Sequence, residues 1–219
     1  MHLKQGNTDE AFEYFGKAMA YDNSYSNALL GIASIYQDKG EYKSALIKYN
    51  LSLATNPNSP LVWNNLGLCF FASGKYMAAV CCLKRAIYLD PFEWIIAYNL
   101  GLVYLHTNQY ASAFHYMNSA SNLKTDLAVI FMYLGIILSQ LNDISNSISY
   151  YDKAIELEPN YLTYFNYTVS LINNDMLANA KEKYQSFVQA FKEDGSEVKE
   201  FENEIKALLP SVKKALKNN

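Results

Sequence analysis

Residues Pro60 to Glu93 read PLVWNNLGLCFFASGKYMAAVCCLKRAIYLDPFE, and Trp94 to Leu127 read WIIAYNLGLVYLHTNQYASAFHYMNSASNLKTDL. Laid over one another without a gap, they put Gly67 on Gly101, Ala79 on Ala113 and Ala86 on Ala120. The same frame runs back to Ser26 and forward from Ala128, so positions recur every 34 residues. A period of that length predicts a helical repeat array, each unit too small to bury its own apolar face.

The recurring places explain how a unit holds together. Counted from the start of each repeat, the eighth place holds Ala33, Gly67, Gly101 and Gly135, and the twentieth holds Ala45, Ala79, Ala113 and Ser147. The twenty-seventh holds Ser52, Ala86, Ala120 and Ala154. Large residues fill the seventh (Ile32, Leu66, Leu100, Leu134) and twenty-fourth (Tyr49, Leu83, Met117, Tyr151). Helices pack at about 8–10 Å only where ridges on one meet gaps on the other, and the small residues make the gaps. Each repeat therefore reads as a helical hairpin.

The joints fit. Gly40 and Gly74 occupy the fifteenth place, where the first helix must turn back through positive φ, and Asn108 and Asn142 take that place in the next two repeats. Pro57, Pro91 and Pro159 follow the second helices, with Thr125 at the remaining position.

This pattern resembles the tetratricopeptide repeat, which implies an all-α, right-handed superhelical solenoid of antiparallel helix pairs. The expected boundaries are 1–25 for the second half of a truncated repeat, then repeats at 26–59, 60–93, 94–127 and 128–160, and a degenerate repeat at 161–194. In the half repeat, Gly6, Ala11, Phe15 and Ala18 fit the fifteenth, twentieth, twenty-fourth and twenty-seventh places, an expectation of missing upstream sequence. In the degenerate repeat the register slips by one residue, with Tyr164, Thr168, Ala180 and Tyr184 at the conserved places. Residues 195–219 are expected to form a capping helix and a frayed tail: Ser196 is a candidate N-cap, and Val198, Phe201, Ile205, Leu208 and Val212 share one face. No linker-like stretch interrupts the sequence, so one continuous domain is expected.

Composition narrows the function. Net charge is -3 with 18 basic and 21 acidic residues, and the basic ones are scattered, which argues against nucleic acid and anionic membrane as partners. The longest apolar run, Leu127 to Leu138, is too short to span a bilayer. The first residues lack the apolar core of a signal peptide, and three cysteines do not pair evenly, so a reduced cytoplasmic setting is expected. His2, His106 and His115 stand apart without Cys or carboxylate at ligand spacing, so no metal site is expected. Cys81 and Cys82 are adjacent and Cys69 sits in an apolar run, which favours buried structural thiols over redox or metal chemistry. Neither a phosphate-cradling Gly-rich loop nor a flanked nucleophile occurs. The chain reads as a non-enzyme with no catalytic residue, cofactor or small-molecule substrate.

The tetratricopeptide resemblance further implies that first helices line a concave groove through their second, fifth, ninth, twelfth and thirteenth places. Here those places hold Leu61, Asn64, Leu68, Phe71 and Ala72; Ile95, Tyr98, Leu102, Leu105 and His106; and Val129, Met132, Ile136, Ser139 and Gln140. A surface this apolar predicts a helical or extended partner segment lying in the groove. The alternative is that tight winding buries some of these residues. Asn65, Asn99 and Asn166 at the sixth place are candidates to pair with a bound main chain, or else serve local roles. Lys and Arg are absent from the second and sixth places, which speaks against a carboxylate clamp.

Trp63 to Ala120 carries residues that hairpin packing does not demand: Cys69-Phe70-Phe71, Cys82-Leu83-Lys84-Arg85-Ala86, Pro91-Phe92-Glu93-Trp94 and Tyr110-Ala111-Ser112-Ala113-Phe114-His115. In these the chain resembles the family of the fourth Bardet–Biedl syndrome protein, a BBSome subunit family. That resemblance implies a non-catalytic scaffold for ciliary membrane-protein trafficking, located in the cytoplasm, the cilium, the basal body and centriolar satellites. Its implied partners are other BBSome subunits and pericentriolar proteins. Two alternatives stay open: a repeat subunit of another large assembly, such as the anaphase-promoting complex or an intraflagellar transport particle, and a regulatory repeat module of an O-GlcNAc transferase-like enzyme.

Overall fold

Between Ser26 and Asp194 the alternation of apolar, small and turn residues resolves into helices. The computed structural model describes residues 26–194, together with 10, 13–17 and 210. From Ser26 to Asp194 ten helices follow one another: α1 (Ser26–Asp38), α2 (Tyr42–Thr55), α3 (Pro60–Ala72), α4 (Tyr76–Leu89), α5 (Trp94–His106), α6 (Tyr110–Leu123), α7 (Ala128–Gln140), α8 (Ile144–Leu157), α9 (Tyr161–Asn173) and α10 (Leu177–Asp194). The fold is all-α. Gly6, Ala11 and Ala18 of the expected half repeat, and the expected capping segment 195–219 apart from Pro210, lie outside the described residues.

The chain divides into two compact units, Met1–Thr107 and Asn108–Asn219. In the first, α1 packs on α2 and α3 on α4, with α3 and α5 also set against the preceding second helices. In the second, α7 pairs with α8 and α9 with α10, and α7 also meets α6.

Small residues sit where large ones need room. A Cβ on Gly67 would stand 2.7 Å from Leu83 Cγ, and one on Gly135 would stand 2.9 Å from the Tyr151 ring. Leu83 and Tyr151 are fully buried and cannot retreat. Phe15 lies so close to Gly31 that a Cβ there would collide with its ring. At the twentieth place Ser147 takes the part of Ala by donating its hydroxyl to the Gly135 carbonyl across the hairpin at 2.7 Å, so the polar group is satisfied inside the packing.

Turn chemistry ends the first helices. Gly40, Gly74, Asn108 and Asn142 all have positive φ, at 76°, 73°, 57° and 61°. After α3 the Gly74 amide donates to the Phe71 carbonyl and the Lys75 amide to the Phe70 carbonyl, both at 2.9 Å, satisfying carbonyls the helix would leave open. Asp175 does the same after α9 at φ 58°, with the Met176 amide donating to the Leu171 carbonyl. Helix starts are capped locally: the Ser59 hydroxyl accepts from the Val62 amide with Pro60 in the first turn, and the Asn160 amide oxygen accepts from the Leu162 amide at 2.8 Å.

Candidate protein-interaction surface

In the first unit the first helices α3 and α5 lie side by side, joined by amides. Asn99 Nδ2 donates to Asn64 Oδ1 at 2.9 Å, and Asn64 Nδ2 donates to Asn65 Oδ1 at 3.1 Å. Asn64 and Asn99 are buried, and their hydrogen bond joins two repeats. Around them the apolar residues stay accessible to differing degrees. Leu61 and Ile95 are exposed, while Leu68, Phe71, Tyr98, Leu102 and Leu105 are half-buried. Phe71 closes one end of the strip, its ring edge-on to His106 at 5.2 Å, and Tyr76 covers both.

In the second unit Val129 is exposed, Ile136 is half-buried and Met132 is buried. Asn166 is half-buried and donates to the Leu162 carbonyl at 2.9 Å, with Met132 Sδ at 3.7 Å. Met132 and Asn166 are thus brought together, and Asn174 reaches from the end of α9 to Ser139 Oγ on α7 at 3.2 Å. The Asn166 amide is anchored on its own helix.

Cys69 and Cys82 are buried, and burial pushes both thiols up, Cys82 to about 11, away from the thiolate a nucleophile requires. Cys81 differs from the sequence expectation by being exposed, because it falls one residue off the buried stripe of α4. Burial likewise raises the Tyr49 phenol to about 12, and its hydroxyl donates to Gln37 Oε1 at 2.9 Å. Among the described residues no group of three His, Cys, Asp or Glu side chains is gathered as a metal site requires, and no helix is long and apolar enough to cross a membrane.

Exposed apolar residues extend beyond the first helices, where the sequence pattern placed them. Ile47 and Leu51 on α2, Met77 and Tyr88 on α4, and Phe92 in the following loop are all exposed. Their signal is present as apolar residues at unconstrained places of the repeat, but periodicity alone does not separate them from core.

Three tetratricopeptide-repeat family models match the chain, over residues 2–69, 64–121 and 130–161. The chain is a tetratricopeptide-repeat protein. It is similar to the BBSome complex member BBS4 of Bos taurus, at 38% identity over 75 residues, which are 34% of this chain and 14% of that protein. It is also similar to BBSome complex member bbs-4 of Caenorhabditis elegans, at 33% identity over 34% of this chain and 16% of that protein. The match thus spans about a seventh of the length of these curated relatives. Among solved structures, the one described as a functional characterization of Pseudomonas aeruginosa pilF superimposes with a TM-score of 0.76 at 24% identity, covering 93% of this chain and 92% of that one. That likeness concerns the fold. Repeats of this kind and the resemblance to BBS4 support a protein-interaction scaffold.

Proposed function

We propose that this chain acts as a non-catalytic subunit of a BBSome-type assembly, in ciliary membrane-protein trafficking and at the basal body and centriolar satellites. The observation that carries the proposal is the 38% identity to a BBSome complex member across 75 residues. Within the block that carries the resemblance, Phe92 and Arg85 are exposed and outside the hairpin core, which leaves their side chains accessible to a partner. In this reading other BBSome subunits and pericentriolar proteins are the partners, and no enzyme activity is needed.

The first-helix strips receive a helical or extended segment of one of these partners. Leu61, Leu68 and Phe71 on α3 and Ile95, Tyr98, Leu102 and Leu105 on α5 supply apolar contact in the first unit; Val129 and Ile136 supply it in the second. Asn65 and Asn166 are the amides with residual exposure to meet a main chain. Proximity labelling from this chain in ciliated cells is expected to enrich BBSome subunits. Their absence from the labelled set would remove the assignment, and enrichment of anaphase-promoting complex or intraflagellar transport subunits would replace it.

A further inference from the structure

The second helices of the first unit carry a surface unlike that of α8 in the second unit. On α2, α4 and α8 the eighteenth, twenty-second, twenty-sixth and twenty-ninth places of the repeat face solvent. On α2 and α4 they hold Lys43, Ile47, Leu51 and Ala54, then Met77, Cys81, Arg85 and Tyr88, every one exposed. On α8 the same places hold Ser145, Ser149, Lys153 and Glu156, a polar set that needs only water. Ile47 is 60% exposed, and Met77 and Tyr88 are each 76% exposed. Large apolar side chains in this concentration mark an interaction site.

Charge identifies what fits there. The chain as a whole is acidic, yet every charged residue within α2 and α4 is a cation: Lys43, Lys48, Lys84 and Arg85. Lys43, Lys48 and Arg85 form no ion pair among the described residues. Arg85 stands over the Tyr88 ring at 5.4 Å and donates to Asn58 Oδ1 at 3.3 Å, which ties α4 to the loop after α2. Ala45, Tyr49 and Leu53 of α2 share one core cluster with Cys82 of α4, so the two exposed faces flank the same core. From Met77 to Tyr88 the apolar and cationic face runs about 16 Å, near three turns of helix.

We propose that this face docks an amphipathic helix of another protein whose apolar ridge is flanked by Asp or Glu. Ile47 and Leu51, one turn apart, form a ridge that lies in the groove of such a helix, while Lys43, Lys48, Lys84 and Arg85 meet its carboxylates. An extended strand is a poorer occupant, because the described residues offer no sheet edge with which to pair its main chain. This surface lies on α2 and α4, whereas the first-helix strip of the same unit lies on α3 and α5, so each is tested by its own substitutions.

The test presents the purified 219-residue chain with a display library of random 16-residue peptides, alongside an Ile47→Glu/Met77→Glu variant and a Leu102→Asp variant. Both altered outer positions are solvent-facing, and circular dichroism verifies that the variants fold. Expected are enriched peptides with excess acidic residues and apolar residues three or four apart. Their retention falls about tenfold or more on the Ile47→Glu/Met77→Glu chain, is unchanged on Leu102→Asp, and weakens as salt rises from roughly 50 to 300 mM. Peptides lost only on Leu102→Asp report the first-helix strip. An empty selection, or a selection in which no acidic peptide loses retention on the Ile47→Glu/Met77→Glu chain, would overturn the proposal. So would sedimentation with phosphatidylserine vesicles that the double substitution abolishes while no acidic peptide emerges, since the face would then serve a membrane.

Discussion

Replacing Gly67 by Ala sets two opposing effects against each other at one atom. A helix-interior Gly→Ala change is worth about 1 kcal/mol in propensity. Against it, the new methyl would lie 2.7 Å from Leu83 Cγ, 3.1 Å from Leu83 Cδ2 and 3.3 Å from the Ala79 carbonyl oxygen. Leu83 is 0% exposed, so relief requires displacing packed neighbours, at about 1–3 kcal/mol. The difference leaves a net loss of about 1 kcal/mol, which lowers the melting temperature by about 2–4 °C in a chain of this size. Leu83→Ala alone should cost about 2–5 kcal/mol through the cavity it leaves. With Leu83 shortened, however, both Leu83 contacts vanish and only the 3.3 Å approach to the Ala79 carbonyl remains, so Gly67→Ala should become neutral or stabilising by up to about 1 kcal/mol. Its effect therefore changes by about 1–2 kcal/mol between the two backgrounds. Urea melts followed by circular dichroism at 222 nm on the four chains of the cycle measure this directly. A stabilising Gly67→Ala in the parent chain, or an interaction within the additive error of about 0.5 kcal/mol, would refute the small-against-large account of the hairpin.

Leu102→Asp changes a half-buried strip residue and should leave helical circular dichroism close to the parent while abolishing capture of the strip's partner; a large loss of helix would place Leu102 in the core. Asn99→Ala removes the donor to Asn64 inside the first unit and should cost about 1–3 kcal/mol in urea melts, whereas an exposed amide would cost almost nothing. Asp175→Gly should be neutral or stabilising by up to about 1 kcal/mol at its φ of 58°, while Asp175→Val should destabilise by more than about 1 kcal/mol, as thermal melts will show. The Tyr49 phenol is raised by burial to about 12 from an unfolded value near 10, so its stabilising contribution is complete below pH 10 and declines as pH climbs toward 12. Tyr49→Phe should flatten the fall of the urea midpoint across that window; an unchanged slope would show that the phenol ionises as easily folded as unfolded.

The hairpins were legible because their determinants are local. A small residue at the eighth place and a large one at the twenty-fourth are only sixteen positions apart, and the turn between them is set by a residue tolerant of positive φ. Gly67 against Leu83 and Gly135 against Tyr151 follow directly from that arrangement. Asp175 was harder to read, since Asp is an uncommon left-handed residue and the register slips by one at Tyr161.

Exposure is a different matter, because it depends on neighbours supplied by other repeats. The sixth-place amides looked alike in sequence, yet Asn99 turns to Asn64 on the preceding repeat, while Asn166 bonds back to its own helix. Met132 shares its place in the repeat with Asn64 and Tyr98, and packing buries the methionine while leaving the tyrosine half open. Likewise the apolar residues of α2 and α4 divide between core and solvent only when their neighbours are in place. By itself the sequence determined a chain of tetratricopeptide hairpins, since short-range packing volumes and turn conformations suffice for that. Only the tertiary structure decided which apolar and amide groups remain to meet a partner, since burial is a property of the assembled neighbours and not of any one repeat.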